Sequence, residues 1–266
     1  MKKINKFYFG EEEVSKEQKV RLVSDVFDSV SKKYDLMNDI LSFGTHRIWK
    51  DILINMIISM KSSNKNFSHL DLACGTGDIA YKLLKKNSKK IDVFMMDINE
   101  QMILQAKQRK EHKKYIGNLC LAVSDAENIP LVSKSMDCIT IAFGIRNVAS
   151  VDVALKEIYR VLKYGGKFLC LEFSQIELSG MDRFYEFYSK NIIPELGNII
   201  ADDRGSYKYL IESIKNFPKQ DEFSDMINNA GFTNTKYKNL SGGIAAIHSA
   251  WTVSYTHLTL PTILRV

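Results

Sequence analysis

Asp71-Leu72-Ala73-Cys74-Gly75-Thr76-Gly77-Asp78 is an apolar run that breaks into a glycine turn and restarts as a helix. Glycine lets a backbone come close to a ligand, and a helix start offers N–H groups that have no partner within the helix. The Gly-Lys-Ser/Thr ending of a phosphate loop is missing. The dinucleotide pattern GxGxxG is met except for Ala80 at the third position, an accepted variant. Acids at Asp71 and Asp78 flank the turn. Negative charge there repels a diphosphate and suits the amino group of an amino-acid-bearing cofactor.

On either side of this turn the chain alternates. Apolar runs at His69–Ala73, Ile91–Met96, Leu119–Val123, Met136–Phe143 and Lys167–Phe173 predict strands. Helical patterns at Asp78–Lys86, Glu100–Lys110 and Val151–Leu162 separate them, with a turn at Tyr164-Gly165-Gly166. This order implies an α/β fold with a parallel sheet and right-handed crossovers, with the ligand beyond the carboxyl ends of the strands. Before the sheet, residues 15–60 read as helices, with Val20, Val23, Phe27 and Val30 on one face and Ile48, Ile52 and Ile57 marking a second. After it, residues 180–231 read as helical and aromatic-rich, and Ser241–Val253 as a final strand pair.

The next acids fall in register with the strands. Asp97 closes the second strand, where a carboxylate can accept both hydroxyls of a ribose. Asp125-Ala126-Glu127 follows the third, placing Asp125 to meet an adenine amino group. One acid alone would read as a helix cap. The series of acid, loop, acid and acid points to S-adenosylmethionine.

Composition bounds the rest. The 266 residues are 45% hydrophobic and 26% charged, an ordinary globular balance that excludes a disordered or collagen-like chain and a coiled coil. The apolar run Ile52–Met60 is too short to span a bilayer. Net charge is +6 with scattered lysines, which reads as a solvated surface or weak attraction to anionic headgroups. No basic stripe or motif argues for nucleic acid. Four cysteines without a CxxC pair, and histidines without ligand spacing, argue against a disulfide scaffold and a metal site. Lys2, Lys3 and Lys6 precede Glu11-Glu12-Glu13 with no apolar core between, so neither a secretory nor a mitochondrial leader is expected.

Three further stretches carry a resemblance. Tyr34-Asp35-Leu36-Met37-Asn38-Asp39-Ile40-Leu41-Ser42-Phe43-Gly44-Thr45-His46-Arg47-Ile48-Trp49 and Phe143-Gly144-Ile145-Arg146-Asn147-Val148 are the specific ones. Arg160-Val161-Leu162-Lys163-Tyr164-Gly165-Gly166, with Leu171-Glu172-Phe173-Ser174, is shared more widely. With the glycine turn, they make the chain resemble the UbiE-type ubiquinone/menaquinone-biosynthesis C-methyltransferases, within class I S-adenosylmethionine-dependent methyltransferases. The resemblance implies a Rossmann-like, mostly parallel seven-stranded sheet flanked by helices. It covers about residues 8–253 and suggests one domain over 1–254. That domain comprises N-terminal helices (15–60), a cofactor-binding core (67–174) and a helical substrate cover (180–231). Tyr255–Val266 has no family counterpart and reads as a foreign or frame-shifted tail. Tyr164 stands where the family usually has proline, and Ala142 where it often has serine.

The implied reaction moves a methyl group to a ring carbon of a polyprenylated benzoquinol or demethylmenaquinol. That carbon is a poor nucleophile until a neighbouring phenol ionises. Arg146 is the expected stabiliser of the phenolate, or else half of a surface ion pair. Asn147 would orient the same oxygen or cap a helix. Tyr34 would act near the methyl with Asp35 orienting it, or the two would be a packed aromatic and a helix cap. His46 is the base by pKa, unless its segment only clamps the N-terminal helices. The expected cofactor-binding set is Asp71, Gly75, Thr76, Gly77, Asp97, Asp125, Ala126 and Ala142.

Met181–Ile200 is apolar beyond one core stripe and is expected to cover an isoprenoid tail near a membrane surface, or else to serve as ordinary core or a dimer contact. A homodimer or a quinone-biosynthesis assembly is plausible by resemblance. The expected location is the cytoplasmic side of the inner membrane in a bacterium, or the matrix side in a mitochondrion. The competing readings are a class I methyltransferase of another hydroxyaromatic or lipid, and a non-catalytic cofactor-binding subunit.

Overall fold

The computed structural model describes residues 7–10, 12–30, 39, 42, 44–60, 66–87, 91–174 and 204–253. Tyr34, Asp35, Met181–Ile200 and Tyr255–Val266 lie outside them.

The described strands are β1 (Phe7–Phe9), β2 (Glu12–Val14), β3 (Phe67–Leu72), β4 (Ile91–Asp97), β5 (Leu119–Val123), β6 (Met136–Ala142), β7 (Leu162–Phe173), β8 (Thr233–Leu240) and β9 (Ala245–Trp251). The helices are α1 (Lys16–Val30), α2 (His46–Ile58), α3 (Asp78–Lys86), α4 (Glu100–Gln108), α5 (Lys110–Tyr115), α6 (Val151–Val161), α7 (Arg204–Asn216) and α8 (Gln220–Asn229).

Seven strands form one sheet in the order β5-β4-β3-β6-β7-β9-β8. The pairs from β5 to β7 are parallel, and β9 is antiparallel to both neighbours. The expected α/β architecture is therefore present. The order reverses between β3 and β6, which opens a crevice at their carboxyl ends.

Alternate side chains of each central strand feed two apolar layers, as a pleat with both faces covered requires. Cys138, Leu169 and Leu171 join Trp49, Leu53, Ile54 and Ile57 of α2. Ile139, Phe168 and Cys170 join Leu155 and Ile158 of α6 and Phe223 and Ile227 of α8. Trp49, Phe143 and Phe173 lock α2 onto the sheet, with ring centroids 4.8–6.3 Å apart. Each such contact adds about 0.5–1.5 kcal/mol beyond burial.

Several boundaries differ from the sequence reading. Ile48 marked α2 but is 62% exposed; the buried stripe runs through Trp49, Leu53, Ile54 and Ile57. The helix expected over Glu100–Lys110 breaks at Arg109, which is extended, and restarts as α5. Tyr164-Gly165-Gly166 is not a separate turn. It lies within β7, where the register to β6 jumps between Met136–Leu162 and Cys138–Lys167 and Gly165 has φ +71°. β8 was not expected as a strand. Its sequence Thr-Asn-Thr-Lys-Tyr-Lys-Asn-Leu is polar because it is an exposed edge. The ribbon β1–β2 was also not foreseen; Phe9 stacks on Tyr209 of α7 at 4.3 Å.

Two glycines are required by their surroundings. Gly77 has φ +81°, and a Cβ there would lie 2.2 Å from Met95 Cε and 2.8 Å from Tyr81. A Cβ on Gly144 would lie 2.6 Å from that of Ala73. Gly77→Ala is expected to lower stability by about 1–3 kcal/mol, from the left-handed backbone and the displaced Met95. Chemical denaturation of the two proteins measures it.

Candidate active site

The carboxyl edge of the sheet is built by chain segments that leave each strand abruptly. Ala73 after β3 and Phe143 after β6 both take positive φ, 51° and 60°. That conformation is costly for residues with a Cβ, and it turns the chain out of the sheet at once. Gly144 then passes against Ala73. The result is a cleft enclosing about 790 Å³, mouth included, over β3, β4, β5 and β6.

Buried carboxylates fix its floor. Asp97 Oδ2 accepts the Gly75 N–H at 2.7 Å, and its Oδ1 accepts the Asn99 N–H at 2.9 Å. Burial pushes Asp97 above the ordinary carboxylate range, and those two N–H donors oppose it. Each Asp97 oxygen keeps acceptor capacity for a hydroxyl. Asp125 and Ala126 line the same cleft, with Ser124 and Glu127. Asp125 Oδ1 accepts the Glu127 N–H at 2.9 Å.

Asp71 lies behind this floor. It is 1% exposed, and its Oδ2 accepts the Ala80 N–H of α3 at 3.2 Å. Its Oδ1 accepts the Thr140 hydroxyl, which also meets His69 Nε2 at 3.1 Å. Burial lifts Asp71 to about 7 and drops His69 to about 3, so near neutral pH the acid is close to its midpoint and the imidazole is neutral. Asp78 is paired with Lys50 at 2.9 Å. Burial acts to raise Asp78, but Lys50 brings it below the ordinary range.

The predicted cofactor residues therefore divide. Gly75, Asp97, Asp125 and Ala126 line the cleft. Asp71, Thr76, Gly77 and Ala142 do not line it; Asp71 and Gly77 shape the turn from behind. The Thr76 carbonyl accepts from Arg109 at 3.4 Å.

The roof is α1, a part the sequence reading did not assign to the site. Val20, Val23, Ser24 and Phe27 face the cleft. Lys16 Nζ holds Glu127 at 2.6 Å, and the Asn99 side-chain amide holds Asp28 at 2.7 Å. The signal was present in the apolar stripe of α1, but a stripe at helical spacing does not say what it covers.

The predicted catalytic residues are spread over several places. Asn147 lines the cleft. Its Oδ1 accepts the Tyr209 hydroxyl at 3.1 Å, which leaves its buried Nδ2 without a partner among the described residues. Burial raises Tyr209 to about 12, so it stays a donor.

Arg146 is turned away from that cleft. Its Nη1 meets Glu172 at 2.5 Å and the Phe143 carbonyl at 2.7 Å, and its Nε meets Ser213. Both partners of this pair are almost fully buried. Burial raises Glu172, and the Arg146 charge opposes it. Arg146 lines a second cavity of about 1180 Å³, mouth included, with Lys19, Tyr8, Tyr209 and Ser213. The two cavities share Val148 and Ala149. His46 lines neither. It is 2% exposed at the start of α2, with Nε2 2.8 Å from Asp39 Oδ1. Asp39 is held below the ordinary range, mainly by its hydrogen bond from Arg47.

The cleft suits S-adenosylmethionine on its own chemistry. Asp97 and Asp125 offer acceptors for its hydroxyl and amine groups, apolar Met102, Ile98 and Phe27 offer contact for a base, and the Asn147 amide is a donor without an acceptor among the described residues. Among the described residues no group of His, Cys, Asp and Glu is arranged to hold a metal.

Comparisons with known proteins bear on the same surface. The ubiE/COQ5 methyltransferase family model matches residues 12–252. A relative named ubiquinone/menaquinone biosynthesis C-methyltransferase UbiE from Rickettsia bellii is 50% identical over 251 residues, 93% of this chain and 99% of that protein. The protein of the same name from Sinorhizobium fredii is 45% identical over 245 residues, 92% and 94% of the two chains. Among solved structures, a SAM-dependent methyltransferase from Aquifex aeolicus aligns with TM-score 0.57 at 20% identity, covering 85% of this chain and 98% of its own. That likeness establishes the fold.

The buried Asp71 gives a pH signature. Its folded pKa of about 7 exceeds an unfolded value of about 3.9, so the folded state binds the proton more tightly. Stability conferred through this proton is present below pH ~4 and lost as pH rises to ~7. The stability of the wild type relative to Asp71→Asn is therefore expected to fall by on the order of a few kcal/mol between those limits. His69 acts oppositely on acidification but is common to both proteins, so it drops out of the difference. Denaturant titrations at pH 4.5 and pH 8 provide the comparison.

Proposed function

This chain belongs to the ubiE/COQ5 methyltransferase family, and on that footing we propose how its two cavities divide the work. The activity is S-adenosylmethionine-dependent C-methylation in quinone biosynthesis, and its acceptor is a quinol. The cofactor occupies the cleft over Gly75, Asp97 and Asp125, and the acceptor ring enters from the second cavity. The observation that carries this reading is the shared wall at Val148 and Ala149, which puts an acid-lined cleft beside a cavity containing Arg146.

S-adenosylmethionine supplies an electrophilic methyl group when bound. The chain supplies the rest. Asp97 would hold the ribose hydroxyls while keeping its bond from the Gly75 N–H. Asp125 and Ala126 would hold the base. Tyr209 holds the Asn147 amide so that its Nδ2 would be free to donate, to the cofactor's carboxylate or the acceptor's oxygen. Glu172 neutralises Arg146 and fixes its guanidinium at the edge of the second cavity. α1 excludes water from above, which strengthens every one of these contacts.

The acceptor is a polyprenylated benzoquinol or demethylmenaquinol. Tyr34 and Met181–Ile200 keep the roles expected from the resemblance as part of this proposal: an action near the methyl and a cover for the tail. His46, buried on Asp39 outside both cavities, takes the other role its segment offered, clamping the N-terminal helices. A membrane-resident acceptor is met at the surface, on the cytoplasmic side of the inner membrane if the organism is bacterial. Among the described residues no helix is long and apolar enough to cross a membrane. Pairing into a homodimer or a larger assembly belongs to the same proposal.

The test is transfer of label from methyl-labelled S-adenosylmethionine to reduced, short-tailed demethyl-benzoquinol and demethyl-naphthoquinol. Ring-methylated product is expected with at least one. Asp97→Ala is expected to weaken cofactor binding tenfold or more, at least ~1.4 kcal/mol, read by calorimetry. Cofactor binding without product on either quinol would sink the acceptor assignment.

A further inference from the structure

Charge accounting in the second cavity leads to a residue that the resemblance does not name. Arg146 lines this cavity, but Glu172 lies 2.5 Å from its guanidinium. The pair is buried on both sides, so its net charge towards the cavity is close to zero. Among the described residues the other cation of the lining is Lys19, at the end of the first turn of α1. Its ammonium donates one hydrogen bond, to the Val148 carbonyl at 3.1 Å. Val148 is one of the residues that both cavities share. An ammonium has three donors, so two remain.

The acid nearest in sense to Lys19 is committed elsewhere. Glu127 is taken by Lys16 at 2.6 Å and accepts the Ser150 N–H at 2.8 Å through its other oxygen. Among the described residues the remaining titratable groups of the lining are Tyr8 and Tyr209. Tyr209 donates to Asn147 and is raised to about 12, so it carries no charge. Lys19 therefore contributes a full positive charge at the boundary between the two cavities. Burial lowers its pKa and the Glu127 charge opposes this. That is the mark of an ammonium short of water, and such a charge acts strongly on an anion beside it.

We propose that Lys19 is a catalytic residue of the acceptor cavity, donating from its ammonium to a ring oxygen of the acceptor and holding that oxygen as phenolate. The inference rests on the acceptor reading given above. The phenol proton leaves to water through the cavity mouth, and Lys19 keeps its own. The electron pair freed on the oxygen flows into the ring carbon, which forms a bond to the methyl group as the bond from methyl to sulfur breaks with its electrons. The ring carbon then loses its hydrogen as a proton to water, which restores the aromatic ring. No oxidant or reductant is needed. Arg146 and Glu172 frame the cavity, and Lys19 supplies the charge.

The test uses the full chain with reduced short-tailed demethylquinol and labelled S-adenosylmethionine. It compares wild type, Lys19→Met and Lys19→Arg from pH 6 to pH 10. Without the ammonium, the acceptor's phenol must ionise unaided. Lys19→Met is expected to lose about 10–100-fold in kcat/KM for the acceptor at pH 7, the worth of one charge-assisted hydrogen bond. Its acidic limb is expected to move up by a pH unit or more, so that the loss shrinks in alkali. Lys19→Arg should keep the wild-type limb. Cofactor affinity should stay within about twofold in both.

A chromophoric probe gives a second readout without turnover. The visible spectrum of bound 4-nitrophenol should show a lower phenol pKa on wild type than on Lys19→Met. If Lys19→Met folds poorly, Lys19→Gln is carried through both measurements. Equal loss at every pH, or an unmoved nitrophenol pKa, overturns the role of Lys19 while leaving the quinol reading intact. Absence of product from the wild type with either quinol overturns the acceptor reading, and the role of Lys19 with it.

Discussion

The glycine turn after β3 cannot hold itself. Gly75 and Gly77 both have positive φ, and a free loop with that backbone would sample many shapes. Two buried carboxylates pin it. Asp97, from the end of β4, takes the Gly75 N–H. Asp71, from β3 itself, takes the Ala80 N–H at the start of α3. Both are desolvated and raised by burial, a cost accepted because each satisfies backbone donors that would otherwise stay open. The cleft floor, the start of α3 and the direction in which the chain leaves the sheet all depend on this pinning.

Around that floor the chemistry is divided by position. Acids that meet neutral or cationic donors sit on the β4 and β5 side. Cations sit on the β6 and α1 side, with the strongest of them matched to Glu172. α1 joins the two halves, since its apolar face roofs the cleft while Lys16 and Lys19 reach across to Glu127 and Val148. A helix that is amphipathic in the ordinary sense thus serves as a partition between two compartments.

What the sequence disclosed follows from the range of each interaction. Strands β3, β4 and β6 were legible because two-sided burial makes them apolar runs, and β5 because its own residues are apolar although it is a half-exposed edge. Gly75, Asp97 and Asp125 were legible because they sit at fixed offsets from strand ends. The edge strand β8 and the ribbon β1–β2 were not, because their partners, and not their own composition, hold them extended. Arg146 was legible as a residue of the carboxyl edge but not as half of a buried pair. Glu172 is 26 residues away on the next strand, and only the parallel register of β6 and β7 brings them together. Lys19 read as one of many surface lysines for the same reason: its burial depends on where α1 is laid.

The placement of β9 has a consequence for the order in which the molecule can be assembled. β9 lies between β7 and β8, although it follows both in the chain. Until Ala245–Trp251 has left the ribosome, Lys167–Phe173 of β7 is an open edge carrying Leu169, Leu171 and Phe173, all destined for the core. The half of the sheet that builds the cleft can pair within residues 67–173, long before that edge is closed. A nascent chain of this protein is therefore nearly complete at its cofactor end while still adhesive at the other, a state in which folding helpers and proteases compete for it.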